Sequence, residues 1–135
     1  MVATLGRTRS AIVYTRAANT WAAQQTLELP DDIGTRSDSY IGDVAIDGDT
    51  IVISANADRD FTGLAYVFAR EEQVWTFRQT LTPPGGAPRV DDFGHSIDID
   101  GDTIAVGSPL NRSDIGTVDI FTRTGSMDTD STTHQ

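Results

Sequence analysis

The sequence predicts an all-β protein built from repeated four-stranded sheets. Three observations lead to this prediction: a unit of about fifty residues recurs, each copy alternates apolar and polar residues, and no window keeps a helical period. Units of this length bury their apolar faces only against neighbouring copies. The repeat therefore decides the architecture before any single residue is considered.

The repeat is strongest between the middle and the C-terminal parts of the chain, where it runs without a gap. The matching segments are 44–53 with 97–106 and 63–70 with 116–123, both at an offset of 53, and 11–16 with 65–70 at an offset of 54. Trp21 and Trp75 occupy equivalent positions in this alignment, as do Gln25 and Gln79. The upstream copy is partial, and residues 1–5 are interpreted as the remnant of its second strand.

Each full copy is expected to form four short strands joined by turns. In the middle copy the expected strands are 44–47, 51–54, 64–69 and 74–81. Asp47-Gly48-Asp49 joins the first two, because Gly after Asp supplies the positive φ of a two-residue hairpin turn. Glu71-Glu72-Gln73 is a polar turn. Pro83-Pro84-Gly85-Gly86 ends the unit, since Pro cannot donate to a strand ladder.

Sheets of this kind at this spacing are typical of the blades of a β-propeller. A β-sandwich would not need near-identical internal copies, and a β-solenoid usually repeats at a shorter period. We therefore predict propeller blades over residues 1–123, with blade ends at 1–29, a blade at 40–82 and a blade at 93–123. Residues 124–135 are polar and lack a pattern, so a disordered tail is expected there.

The signature residues of the last copy carry a family resemblance. Phe93-Gly94 followed by Gly107-Ser108-Pro109 resembles the FG-GAP repeat, which is named for its Phe-Gly and Gly-Ala-Pro ends. The resemblance covers most of residues 10–123, and the middle copy departs from it, with Tyr40-Ile41 and Ser54-Ala55-Asn56 in the two places. The family includes bacterial and archaeal surface proteins and, more distantly, the integrin α propeller. The resemblance implies a propeller fold and an extracellular or cell-surface setting, and it does not by itself imply an activity.

The resemblance also raises calcium, because integrin-like repeats carry an Asp-rich loop between their first two strands. Calcium takes about six to eight oxygen ligands, whereas Asp47-Gly48-Asp49 offers two carboxylates that the hairpin turn itself explains. Asp58 and Asp60, in the next loop, are the remaining candidates for a weak cation site. Solvated loop acids are the alternative at these two positions. We therefore expect no cofactor, with calcium at Asp58 and Asp60 as the exception to test.

The predicted blades form an incomplete propeller, since ring closure takes about four blades or more. We expect self-association or further blades to complete the ring; an open fragment would expose apolar faces. In the last copy Thr117 and Asp119 replace Leu64 and Tyr66 of the middle copy on one strand face. Terminal units of repeat proteins carry a polar outer face. The last blade is therefore expected to be a cap that packs no further blade.

The chain is strongly acidic. Twenty acidic residues against ten arginines, with no lysine, give a formal net charge of −10. Nucleic acid is a poor partner for such a chain, because binding a polyphosphate needs a basic footprint. A dense acidic surface fits a halophilic prokaryote, in which salt screens self-repulsion. A GC-rich genome that favours Arg codons is the alternative.

Compartment signals are sparse. The chain contains no cysteine, so disulfides and thiolate metal sites are not available to it. Neither a secretory signal nor a run long enough to span a membrane is found, so membrane insertion is not expected. An extracellular setting would accordingly require a longer precursor or a different start.

Catalytic residues are not expected. The chain has two histidines, His95 and His134, and the second lies in the expected tail. Asp91-Asp92 beside His95 could in principle support hydrolysis, although chance proximity explains the arrangement in so acidic a chain. A polar site formed by His95, Asp98 and Asp119 is the alternative to the cap. Nucleophile elbows and phosphate-binding loops are absent from the sequence.

Two function classes follow. The first is a non-catalytic propeller module for recognition or scaffolding, from a cell-surface or secreted protein of a halophilic prokaryote, that binds protein or glycan. The alternative is a fragment of a propeller enzyme acting on polysaccharide, with catalytic residues outside this chain. Trp21 and Trp75 are expected to anchor neighbouring blades, and sugar stacking is the alternative for them.

Overall fold

The computed structural model describes residues 2–4, 9–30, 41–55, 62–84, 92–109, 115–124 and 128–131. These ranges contain eleven strands and no helix, so the predicted all-β fold is confirmed. The strands are β1 (Val2–Thr4), β2 (Ser10–Ala17), β3 (Thr20–Glu28), β4 (Asp43–Asp47), β5 (Thr50–Ala55), β6 (Leu64–Glu71), β7 (Val74–Leu81), β8 (Ser96–Asp100), β9 (Thr103–Ser108), β10 (Thr117–Thr124) and β11 (Asp128–Ser131).

The strands form three antiparallel sheets in which each strand pairs with its neighbours in sequence. The first sheet has the order β1-β2-β3, the middle sheet β4-β5-β6-β7, and the last sheet β8-β9-β10-β11. β1 pairs with β2 as β5 pairs with β6, so the described part of the first sheet corresponds to strands two to four of the middle sheet. Over the described residues the three sheets follow one another as an open series, without closure into a ring.

The hairpin turns have the predicted form. Asp47 pairs with Thr50, and Asp100 pairs with Thr103, which leaves two residues in each turn. Gly48 has a φ of +55°. Glycine adopts positive φ without the steric cost that a side chain brings. The Asp-Gly-Asp segments are therefore hairpin turns, as the sequence predicts.

The repeat extends to an irregularity in the strands. The pairing of β2 with β3 shifts between Val13 and Tyr14, and the pairing of β6 with β7 shifts between Val67 and Phe68. These positions are equivalent at the offset of 54. A β-bulge increases the local twist of a strand, so both sheets have the same local distortion beside their outer strand.

Apolar side chains are buried in two cores, each lying between neighbouring sheets. The first core joins the first and middle sheets and contains Ala11, Val13, Leu27, Leu29, Ile41, Ile51, Ile53, Ala55, Leu64, Tyr66, Phe68 and Trp75. The second joins the middle and last sheets and contains Val52, Ala65, Val67, Leu81, Phe93, Ile99, Ile104, Val106 and Phe121. Both cores therefore depend on contact between sheets, which is what a repeated unit of this length predicts.

The structure differs from the expectation of a disordered tail over 124–135. Thr124 ends β10, and Asp128–Ser131 forms β11, which pairs with β10 from Phe121↔Ser131 to Thr124↔Asp128. An edge strand needs only backbone donors and acceptors to pair, so it can form without an apolar pattern. Residues 125–127 and 132–135 lie outside the described residues.

The expectation of a polar cap is wrong. Asp119 is two residues from Phe121 on β10 and shares its face, and Phe121 belongs to the core between the middle and last sheets. Thr117 and Asp119 therefore face the middle sheet, and Asp119 is only 2% exposed. The outward face carries Val118, which is 51% exposed, and Ile120. Alternation separates the two faces of a strand, but it does not specify which face meets the preceding sheet.

Candidate functional site

The join between the first and middle sheets is built around Trp75. Trp75 is 3% exposed, and the guanidinium carbon of Arg70 lies 5.2 Å from its ring centroid. The side chain of Gln25, on the outer strand of the first sheet, accepts a hydrogen bond from Trp75 N–H at 2.9 Å and donates one to Trp75 O at 2.7 Å. The amide of Gln25 thus satisfies one donor and one acceptor on the outer strand of the next sheet.

The join between the middle and last sheets uses carboxylates of β4. Asp43 Oδ2 accepts a hydrogen bond from Ile97 N–H at 2.8 Å, and Asp47 Oδ2 accepts one from Gly101 N–H at 2.7 Å. Hydrogen bonds to an ionised acceptor are stronger than those between neutral groups. Two Asp side chains of one sheet therefore hold the first strand and hairpin turn of the next.

Phe93-Gly94 provides a further contact across this join. Phe93 is fully buried, and its ring meets that of Phe121 edge-on with centroids 6.1 Å apart. Phe93 N–H donates to Thr62 O at 3.1 Å. Ser54, which is also fully buried, donates from Oγ to Gly94 O at 2.5 Å. The Phe-Gly pair is therefore a structural clasp between sheets.

Gly94 fits this clasp because it has no side chain. Its φ is +91°, and a Cβ at this position would lie 2.6 Å from Ser54 Cβ. Positive φ and close approach both favour glycine here. The clasp therefore explains why the second residue of the Phe-Gly motif is small.

Two further turn carboxylates, Asp49 and Asp102, are paired with arginines of their own sheets. Arg70 donates to Asp49 Oδ1 from Nε at 2.9 Å and from Nη2 at 2.6 Å. Arg123 makes the equivalent pair with Asp102, and it also donates to Thr50 Oγ1 across the join at 3.4 Å. These contacts account for Asp49 and Asp102 as structural groups.

The described ranges contain no group of three or more His, Cys, Asp or Glu side chains placed to hold a metal ion. Asp58 and Asp60, the candidates for a weak cation site, lie outside the described residues. Their assignment therefore stays a prediction.

The acid beside His95 has a local structural role. His95 Nδ1 lies 2.8 Å from Asp92 Oδ2, and His95 N–H donates to Asp92 O at 3.1 Å. The His95 side chain is 60% exposed. Both contacts close the turn that presents Phe93 to the core. Asp91, the other member of the predicted acid pair, lies outside the described residues.

The alternative polar site of His95, Asp98 and Asp119 is not assembled. Asp98 pairs with Ala105 and Asp119 pairs with Val106. Successive residues of β9 point to opposite faces, so the two carboxyl groups lie on opposite sides of the last sheet. Asp98 is exposed, and its Oδ1 accepts a hydrogen bond from the backbone of the next residue.

Comparison with protein families decides what this arrangement is. The family model of the FG-GAP repeat matches residues 21–68 and 75–121. The chain belongs to the FG-GAP repeat family. The resemblance predicted from the sequence is thereby confirmed, and the three sheets are β-propeller blades. A comparison with curated proteins gives no match.

The FG-GAP repeats are staggered relative to the blades. The first match runs from β3 to β6 and the second from β7 to β10, so each contains the last strand of one sheet and three strands of the next. Each match thus spans a join between blades. In this FG-GAP protein the matched unit therefore includes the contact between two sheets as well as the strands themselves.

The two ends of the FG-GAP array present unused halves of such a join. Trp21 is 50% exposed, whereas its equivalent Trp75 is 3% exposed. At the other end Val118 is 51% exposed, whereas its equivalent Ala65 is fully buried. Equivalent positions are therefore buried inside the array and exposed at its ends. The face that carries Trp21 and the face that carries Val118 are the candidate interaction surfaces.

Sequence reasoning missed three residues of the joins: Gln25, Asp43 and Ser54. The equivalence of Gln25 with Gln79 was a signal that this position mattered, but it did not reveal the partner. Each of these side chains hydrogen-bonds to backbone at a sequence separation of 40 to 54 residues. Every residue has a backbone carbonyl and almost every residue a backbone N–H. Residue types in the sequence therefore do not reveal which backbone group is the partner.

Proposed function

We propose that this chain is part of a β-propeller that serves recognition or scaffolding without catalysis. The observation that carries the proposal is the use of its polar side chains. Asp43, Asp47 and Ser54 bind backbone groups of the next blade, and Asp49 and Asp102 pair with arginines. The first three side chains build the join between the middle and last blades, and the other two brace hairpin turns of their own blades. This use of the polar side chains supports assigning ligand contacts to the segments that connect the strands.

The loops that follow the second strand of each blade are the proposed ligand-binding elements. Residues 56–61 connect β5 towards β6, and residues 110–114 connect β9 towards β10. β5 ends at Ala55 and β9 ends at Ser108, which are equivalent positions of neighbouring blades. Binding residues usually lie in the segments that connect the strands of a rigid scaffold. Protein or glycan is the proposed class of ligand.

A surface or secreted setting in a halophilic prokaryote completes the proposal. FG-GAP repeats are typical of extracellular and surface proteins, and the formal net charge of −10 with arginine as the sole basic side chain besides histidine supports a high-salt environment. Within the described residues, no helix could cross a membrane. Protease treatment of intact cells, with a cytoplasmic protein as the protected control, tests this part: the proposal expects cleavage of this chain.

Binding and turnover, measured on the same samples, test the proposed role. The chain is incubated in molar salt with neutral and acidic polysaccharides and with arrayed glycans and proteins. Saturable binding without new reducing ends is expected, with weaker binding in a variant whose Asp58 and Asp60 are both replaced by Ala. Turnover of a bound polysaccharide would contradict the proposal and would favour the propeller enzyme.

A further inference from the structure

We propose that the outward face of the last sheet binds the outward face of the first sheet of a second copy of this chain, head to tail. The trailing face is defined by Ala105, Val118 and Ile120, and the leading face by Tyr14 and Trp21. The proposal concerns assembly and not ligand recognition, so its failure would leave the proposed function untouched. Heterologous contacts of this kind form rings when the rotation closes.

The trailing face repeats a surface that is buried inside the chain. At the offset of 53, the three residues of the trailing face correspond to Val52, Ala65 and Val67, all in the core between the middle and last sheets. Their exposed fractions are 0%, 0% and 4%. The last sheet therefore offers to solvent an apolar surface of the kind that the middle sheet buries against its neighbour.

The leading face repeats the other half of a join. Tyr14 and Trp21 correspond to Phe68 and Trp75, which are 3% exposed in the core between the first and middle sheets. Arg16 lies 5.9 Å from the ring centroid of Trp21, as Arg70 lies over Trp75. The first sheet thus presents an aromatic surface with the same stacked arginine as an internal leading face.

One polar contact of the internal join can also form between copies. Arg123 of the last sheet donates to Thr50 of the middle sheet. The equivalent residues at the open ends are Arg16 on the leading side and Thr103, which is exposed, on the trailing side. Head-to-tail contact would place Arg16 of one copy beside Thr103 of another.

Asp98 limits the proposed contact to part of the last sheet. Its equivalent, Ala45, packs against the core between the middle and last sheets, where β4 lies beside β8, the first strand of its neighbour. The first strand of a further complete blade would cover Asp98. Burying a carboxylate without a cationic partner is costly. The proposed contact therefore centres on Ala105, Val118 and Ile120 and leaves Asp98, which is exposed, in solvent.

The test is the mass of the full chain in solution, measured by light scattering in molar salt. The proposal predicts a multiple of the 14.6 kDa of one chain. Replacing Val118 and Ile120 by Asp should weaken association by more than about tenfold, with the circular dichroism spectrum retained. Val74→Asp is the matched control, because Val74 is 53% exposed on the middle sheet and outside both faces; it should associate like the parent.

Crosslinking identifies the surfaces. The chain contains no cysteine, so Arg16→Cys and Thr103→Cys variants can be mixed and treated with a short bismaleimide. A crosslinked pair is expected from the mixture and not from either variant alone. A single-chain mass at all concentrations would overturn the proposal. Association that survives the Val118 and Ile120 changes, or Thr103→Cys chains crosslinked to each other, would overturn it as well.

Discussion

The side chain of Gln25 is bound to both backbone groups of Trp75, accepting from its N–H and donating to its carbonyl at 2.9 and 2.7 Å. The two residues lie on the outer strands of neighbouring blades, 50 positions apart in the sequence. One amide therefore makes, between sheets, the pair of contacts that a neighbouring strand makes within a sheet. The same idea recurs at Asp43, Asp47 and Ser54, where side chains of one blade bind backbone of the next.

Replacing Gln25 by Glu should lower the free energy of unfolding by about 1–3 kcal/mol. A carboxylate can still accept the hydrogen bond from Trp75 N–H, but it cannot donate one to Trp75 O. Its second oxygen would instead repel the Trp75 carbonyl oxygen. Urea denaturation followed by circular dichroism measures the loss. Thr26→Glu is the control, because it adds the same charge at an exposed neighbouring position and should cause a smaller loss. Equal losses in the two variants would show that the amide contacts do not matter.

Replacing Gly94 by Ala should destabilise the fold more than replacing Gly101 by Ala. Both glycines have positive φ, so each substitution carries a backbone cost of about 1–2 kcal/mol. At Gly94 the new Cβ would also collide with Ser54, whereas nothing lies within 4 Å of a Cβ at Gly101. The difference between the two melting temperatures therefore reports the clasp. A larger loss for Gly101→Ala would contradict the clasp.

A change in the turn between β6 and β7 should increase the stability of the protein. Glu72 and Gln73 both have positive φ, at 51° and 71°, which are the dihedrals that favour Asn-Gly in a two-residue hairpin turn. Changing the pair to Asn-Gly should raise the free energy of unfolding by about 1 kcal/mol. Gln24 donates to the Gln73 carbonyl, which the change retains.

Thermal melts provide the measurement for this turn. Gln73→Ala is the control, because it shortens the side chain but keeps a Cβ at positive φ. No gain is expected from the control. If the Asn-Gly variant melts at or below the temperature of Gln73→Ala, backbone strain in the turn is not the cause.

Stability should rise with salt. With a formal net charge of −10, self-repulsion is screened on going from about 0.1 M to about 2 M KCl, so the melting temperature should increase. Replacing the exposed acids Glu28, Glu72 and Asp100 by their amides removes three charges and should reduce that increase. An equal salt response in parent and variant would assign the effect to something other than charge.

The repeat made most of the fold predictable, because the strands alternate apolar and polar residues and the turn between the first two strands of the middle and last blades contains Gly. It did not show which face of a strand meets the preceding blade. For that reason the sequence predicts an outward-facing Asp119, whereas the residue is buried. The strand at Asp128–Ser131 has no apolar signal, since backbone pairing alone places it. The joins were least predictable, because Gln25 and Ser54 bind backbone groups far away in the sequence.

Tryptophan quenching tests most directly the central claim that equivalent blade faces are buried inside the array and open at its ends. Trp21→Phe leaves Trp75 as the probe, and Trp75→Phe leaves Trp21. Both are measured with acrylamide in the background in which Val118 and Ile120 are replaced by Asp, so that chains are separate. The account predicts that acrylamide quenches Trp21 several-fold more strongly than Trp75. Quenching of Trp75 as strong as that of Trp21 would contradict it.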